Sequence, residues 1–386
     1  MVMLVLRSSL ARLALAVLTS LVLSGCSLPR GGPVRNEVLQ PDTAGAADFG
    51  IVAVSRANLA TVAQWPHPQA AAHRGWPQGG QRGGSLPGGG SIRIASGDAV
   101  SLTIWENDDN ALLTAQTQKS VQINDVTVGP DGTIFVPYIG DIPVGGQTPD
   151  QARKALQTQL EGVLSSPQVQ LSLTPGRKNT VDLVGGVLRA GSYPLPDRNF
   201  SVLGLLSQGG GISAGLRNPQ LRLVRDGAVH AISASRLMAD PRLDTVLRGG
   251  DKLIVEQDPR YFLALGAASQ QNQIYFPQDT VSALEALALI GGVSAGRANP
   301  ESILILRDYP ASARLRHSLG SNRGPDHDRM IFTLDLTTAD GLFSARQFRI
   351  EPDDLVLVTE SPVNGLRTIM GILGQGFGLA NAAPSP

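Results

Sequence analysis

Apolar and polar positions alternate with a period of two through much of the chain. Val100, Leu102 and Ile104 take turns with Ser101 and Thr103 before Trp105, which predicts a strand with one buried face. It is entered from Ile92-Arg93-Ile94 through a turn at Ser96-Gly97-Asp98. Val126–Val128 and Thr133–Val136 flank Gly129-Pro130-Asp131-Gly132, and an Asp-Gly turn between two such runs predicts a hairpin. A short strand over Ile139–Val144 stops at Gly145-Gly146. The period then changes. Thr148 caps a helix, with Pro149 at its first position and Gln151 completing a capping box. Ala152, Ala155, Leu156, Leu160, Val163 and Leu164 form its apolar face, and Pro167 lies beyond its end. Val169, Leu171 and Leu173 alternate again and close the unit.

The remainder contains an internal repeat. Gly210-Gly211-Ile212-Ser213-Ala214-Gly215-Leu216-Arg217-Asn218-Pro219 recurs 81 residues later as Gly291-Gly292-Val293-Ser294-Ala295-Gly296-Arg297-Ala298-Asn299-Pro300. A short helical pattern precedes each copy, Val202–Leu206 and Val281–Ile290, and a strand follows, Leu221–Arg225 and Ile303–Arg307. The ends match too, Gly250–Val255 against Asp353–Val358. Two small strand–helix–strand units stand in tandem. The glycine pairs Gly210/Gly211 and Gly291/Gly292 suit left-handed backbone at a helix end. The second unit carries an insertion over residues 310–329; its Asp326-His327-Asp328 is expected to be a solvated loop, not a metal site.

The termini follow other rules. Residues 1–25 begin with Arg7 and Arg12 and continue in an apolar stretch from Leu13 to Leu23, short for a span and suited to a signal-peptide core. Leu23-Ser24-Gly25-Cys26 sets small residues before the only cysteine, as in a bacterial lipobox, where diacylglycerol alkylates the thiol. An ordinary signal peptide with an incidental cysteine is the alternative. A lone unmodified thiol in an oxidising envelope is a liability, which favours lipidation of Cys26. Ser27, where Asp would retain a lipoprotein at the inner membrane, favours the outer membrane. Residues 26–91 are expected to form an acylated N-terminus and a Gly/Pro-rich tether, pinned to a domain surface by Trp65-Pro66 and Trp76-Pro77.

At the other end, residues 363–386 predict an amphipathic membrane helix and tail. On a helical wheel Leu366, Ile369, Met370, Leu373, Phe377 and Ala380 share one arc, while Ile372 and Leu379 blur its flank. Arg367, Thr368, Gly371, Gly374, Gln375 and Gly378 lie opposite. Eighteen residues at ~1.5 Å each span ~27 Å, near the hydrocarbon thickness. A ring of such helices turns its polar side to a lumen. The alternative is a helix lying on the membrane or packed on its own repeat.

Composition narrows the function classes. With 32 basic and 32 acidic side chains the chain has no net charge, which argues against an extended nucleic-acid surface. The 44 Gly and 26 Pro among 386 residues suit short strands joined by turns better than a helical bundle. His67, His73, His230, His317 and His327 are scattered, and no zinc-protease motif, cysteine cluster or phosphate-binding loop is present. Asp108-Asp109 and Asp353-Asp354 sit at turn-like positions with nothing beside them to raise a carboxyl pKa. The sequence calls for no catalytic residue, metal or cofactor.

Ile94–Asp98 running into Ile104-Trp105, then Gly129–Pro137, Ile139-Gly140 and Gly146–Thr148, resemble the polysaccharide-export domain. The two Gly-Gly-x-Ser-Ala-Gly units look like soluble-ligand-binding β-grasp modules. In that order behind a lipobox, they resemble the outer-membrane polysaccharide export lipoproteins. The resemblance implies an α+β, multidomain chain: export domain 92–175, β-grasp modules 176–259 and 260–362, and a C-terminal amphipathic helix. It further implies a homo-oligomeric ring conducting capsule or exopolysaccharide through the periplasm and outer-membrane lipid. Its expected inner-membrane partner is a polysaccharide co-polymerase or an ABC export complex. A periplasmic glycan-binding or scaffold lipoprotein without a pore is the rival reading.

Overall fold

The computed structural model describes residues 32–40, 48–66, 75–77, 92–106, 120–313 and 324–363. The signal peptide, Cys26, Asp108-Asp109, His67, His73, His317 and the C-terminal helix from Leu366 onward lie outside the described residues. The fold is mixed α+β with several sheets. It forms two compact units: Met1–Pro68 with Tyr261–Ile274 and Val281–Pro386, and Gln69–Arg260 with Tyr275–Thr280. The first elements are a helix α1 (Arg35–Leu39), a strand β1 (Gly50–Ala53) and a helical turn α2 (Leu59–Val62).

Next come β2 (Ala99–Trp105), β3 (Ser120–Thr127), β4 (Thr133–Val136), β5 (Gly140–Pro143), α3 (Pro149–Leu160) and β6 (Gln168–Thr174). β2 is the centre of an antiparallel sheet ordered β3-β2-β6, and Val100, Leu102 and Ile104 are fully buried as their alternation requires. The Gly129–Gly132 turn forms, but its flanks do not pair with one another as expected. β3 pairs with β2, and β4 pairs forward with β5. The cause lies at the end of β3: the Val128 amide donates to the Asp98 carbonyl and the Gly97 amide to the Val128 carbonyl, at 2.8 and 3.0 Å. The capping box of α3 is present, Thr148 and Gln151 exchanging side-chain-to-amide bonds of 3.3 and 3.0 Å. Ala152, Leu156 and Leu160 are buried, as is Leu164 beyond the helix end, whereas Val163 is exposed.

The first repeat comprises β7 (Thr180–Gly185), β8 (Gly191–Pro194), α4 (Val202–Gln208), β9 (Gln220–Arg225), β10 (Ala228–Ser233), α5 (Ala234–Ala239) and β11 (Lys252–Glu256). Its sheet runs β10-β9-β11-β7-β8, with β7 and β11 parallel and the other neighbours antiparallel. The second repeat comprises β12 (Tyr261–Gly266), β13 (Asn272–Tyr275), β14 (Val281–Ser282), α6 (Ala283–Leu289), β15 (Ala298–Asp308), β16 (Arg329–Leu334), α7 (Ala339–Gln347), β17 (Arg349–Ile350) and β18 (Leu355–Glu360). Its main sheet runs β1-β16-β15-β18-β12-β13, and β12 and β18 are again parallel. The repeat seen in sequence is thus a repeat of topology.

The sixth strand of that sheet is a correction to the expected tether. β1 pairs in parallel with β16, Gly50 opposite Met330 through Ala53 opposite Thr333. Val38, Leu39 and Phe49 pack against Leu304, Ile331 and Leu357 on a face of the same sheet. Composition alone does not reveal this, because a free strand edge and an apolar face elsewhere in the chain supply the partners. The Trp-Pro pairs are also held. Trp65 packs against Tyr309 and Phe332, each at 5.9 Å. Trp76 donates its Nε1–H to the Leu243 carbonyl at 2.8 Å and packs on the core of the first repeat. Where the first repeat turns from β9 to β10 through Asp226-Gly227, the second carries the 310–329 insertion. Within it Ala313, Gly324 and Pro325 are buried, while Pro310, Ala311, Ser312, Asp326 and Arg329 are exposed. Among the described residues no helix is long and apolar enough to cross a membrane.

Candidate functional site

Three features combine chemistry with position. The first is the pair of glycine turns. In each repeat the second glycine closes the preceding helix: the Gly211 amide donates to the Leu206 carbonyl and the Gly292 amide to the Leu287 carbonyl, both at 2.8 Å. Such a bond across six residues needs left-handed backbone, and φ is 82° and 88° at Gly210 and Gly211, 76° and 81° at Gly291 and Gly292. The returning chain then bridges Ile212 to Val187 and Val293 to Ala268.

The second feature is a set of buried aspartates at strand entrances. Asp98, Asp251 and Asp354 each accept from an amide three residues earlier, that of Ala95, Arg248 and Glu351, at 2.7 to 2.8 Å. Each has a further partner. Asp98 also accepts from the Gly176 amide and Asn179 Nδ2, tying β2 to the start of the first repeat. Asp251 takes Arg225, and Asp354 takes Arg307 in a two-pronged pair of 2.7 and 2.8 Å. Arg307 is walled by Phe332 and Phe348, both 5.2 Å away, and by Tyr309. Contrary to the expectation from its turn-like position, Asp354 is buried, and burial pushes its carboxyl up from the ordinary range, with Arg307 pulling against it. Burial also opposes the Arg307 charge, but Asp354 outweighs it and Arg307 titrates above its usual value.

The third feature is a cleft of about 780 Å³ in the unit that holds the second repeat. One wall is the helical turn containing α2, with Arg56, Leu59, Ala60 and Ala63, continuing to Trp65; the other is α7, with Asp340, Phe343, Ser344 and Gln347. Both walls carry the i, i+3, i+4, i+7 spacing of one helical face. Arg56 donates its amide to the Asp340 carboxylate at 3.3 Å, joining the walls, while Arg349 and Glu351 line the cleft beside Arg307.

Residues 87–174 match the polysaccharide biosynthesis/export protein family. The chain is 26% identical over 364 residues to the capsule polysaccharide export outer membrane protein CtrA of Neisseria meningitidis serogroup A, covering 90% of this chain and 91% of that protein. It is 25% identical to the capsule polysaccharide export protein BexD of Haemophilus influenzae, covering 93% and 94%. With the Vi polysaccharide export protein VexA/TviF of Salmonella typhi it shares 24% identity, over 69% and 74%. Residues 87–174 thus match that family's domain, and the chain as a whole is similar to capsule polysaccharide export proteins.

The family's domain holds the β2 sheet, the β4–β5 hairpin and α3, whose common core runs from Ile94 to Val169. Asp131, in its Gly129–Gly132 turn, accepts from the Thr133 hydroxyl and amide, which hold its carboxyl below the ordinary range. Of the residues singled out in sequence, the four turn glycines are described; Cys26 and the helix residues Leu366 to Gly378 lie outside the described residues. Among the described residues no cluster of three or more metal-ligating side chains occurs, and His327 lies 3.3 Å from Asp326 alone. The cleft was not anticipated, although the spacing Asp340, Phe343, Ser344, Gln347 carried its signal.

Proposed function

We propose that the chain is a subunit of an oligomeric, non-catalytic conduit carrying capsular polysaccharide or exopolysaccharide through the periplasm and outer membrane. The observation that carries this reading is correspondence along nearly the whole length of a capsule exporter named as an outer membrane protein, the chain covering 91% of it. The chain accordingly resides at the outer membrane, with its bulk in the periplasm. Export along a conduit requires a closed ring and a hydrophilic wall, and no bond need be made or broken.

In this reading residues 92–175 are the export domain, and 176–259 and 260–362 are β-grasp modules. Support comes from strand order: each has a hairpin, a helix, a second hairpin and a last strand inserted parallel to the first. Cys26 carries the lipid. Leu366, Ile369, Met370, Leu373 and Phe377 meet outer-membrane lipid, while Arg367, Thr368, Gln375 and the intervening glycines face the lumen of a homo-oligomeric ring. A co-polymerase or ABC export complex feeds the ring from the inner membrane.

The test is a strain producing the chain truncated after Pro362, scored for surface polysaccharide and for acylation of Cys26. Export is expected to stop while acylation continues. Normal surface polysaccharide would refute the pore.

A further inference from the structure

A strand at the edge of a sheet presents unpaired amides and carbonyls. Proteins blunt such edges with short strands, proline, charge or a covering segment. Several edges of this chain are treated so. β8 has four residues and ends at Pro194, β13 has four, and β1 covers β16. On β10, His230 Nδ1 lies 2.8 Å from the Gly75 carbonyl, beside Trp76 packed on the first repeat. β6 departs from this pattern. Gln168–Thr174 is seven residues long, without proline, charge or bulge. On one side it pairs with β2; on the other its backbone has no partner among the described residues.

The opposite edge of the same sheet is open as well. β3 is regular over Ser120–Ile123; its register then shifts, with Asp125 at φ 54° and its amide on the Ser101 hydroxyl. The face away from the core is neutral. Its rows Ser120-Trp105-Gln168 and Gln122-Thr103-Gln170 carry no charge that would repel a second copy. β3 and β6 run the same way, because each is antiparallel to β2. A second copy rotated about an axis along the strands therefore brings its β3 against β6 as a parallel pair. That step can repeat, and repetition of one rotation closes a ring. β6 against β6 would instead be a two-fold antiparallel pair that ends at a dimer.

We propose that β6 of one copy pairs in parallel with Ser120–Ile123 of the next, so that the export domains share one continuous sheet. The inference deepens the conduit reading and rests on it for the closure of the repeated step. Backbone bonds supply the attraction, and the neutral side chains on both edges let the strands approach.

The test places cysteines in the full-length protein in detergent: Gln170→Cys on β6, combined with Gln122→Cys or Ser120→Cys on β3. Within one chain Gln170 and Gln122 both sit opposite Thr103, two strand spacings or about 10 Å apart, and Ser120 is farther. A disulfide reaches only ~7 Å between Cα atoms, so a link must join two copies. Under oxidation by diamide, at least one double variant is expected to give a ladder of linked multimers from the dimer upward. The parent and the single variants should stay unlinked. Adding Ser172→Lys, at an exposed position of β6, should lower the linked yield tenfold or more with the thermal transition preserved. No ladder in either double variant, a linked dimer from Gln170→Cys alone, or an undiminished yield with Ser172→Lys would overturn the proposal. Electron microscopy of the same samples separates the two readings. Closed, collared rings without linked chains sink this inference alone, and linked chains without collared rings sink the conduit alone.

Discussion

The two repeats share a strand order and differ in what covers their sheets. In the first, β9 buries Leu221 and Leu223 and turns Arg222 outward, and β11 buries Leu253 and Val255 while exposing Lys252. In the second, Leu304 stands where Arg222 does, and Leu355 where Lys252 does, as the matching ladders show. β16 and β18 are buried almost along their whole length. Strands buried on one face alternate, and strands buried on both read as continuous apolar runs. The second sheet needs a second cover. Val38, Leu39 and Phe49 provide part of it, and β1 closes the β16 edge. One scaffold thus serves twice, and a change of one face turns a solvated sheet into a seat for the N-terminal segment and its cleft.

The largest expected effect separates the buried ion pairs. Asp354→Ala leaves Arg307 charged among Phe332, Phe348 and Tyr309, and is expected to cost about 3–5 kcal/mol in urea unfolding. Asp251→Ala should cost less: each arginine keeps a backbone carbonyl, Arg225 that of Val246 and Arg307 that of Arg349, but Arg307 alone of the two is packed among those aromatic rings. Equal losses would deny the comparison. Next comes the covered face. Leu304→Ala is expected to cost roughly 2–5 kcal/mol through the cavity it leaves. Arg222→Leu at the matching position should stay within about 0.5 kcal/mol, since its pair with Glu256 is substantially exposed. A third effect should be shared by the two repeats. At Gly211 and Gly292 an added Cβ meets nothing within 4 Å, so Val at either position costs only the left-handed backbone penalty, about 1–2 kcal/mol. Unequal melting shifts would show that the turns are not equivalent.

Much of this architecture was legible. Val100, Leu102 and Ile104, the Thr148 capping box and the twin Gly-Gly turns are local patterns, and the structure forms each of them. What sequence reading missed is non-local. The Gly129–Gly132 turn is local, but the partner of β3 is decided by β2 and the turn at Asp98. The N-terminal segment has tether-like composition, and only the β16 edge, more than 270 residues away, makes Gly50–Ala53 a strand. The missed clue was the run Ile303–Leu306, apolar at every position where Leu221–Val224 includes Arg222. It announced a face that something must cover.

The central claim is a ring in the outer membrane, and electron microscopy of the detergent-extracted, lipidated protein addresses it most directly. The account predicts closed rings of this chain with a detergent collar at one end. Dispersed single chains, or rings with no collar, under conditions that preserve the acylated protein would contradict it.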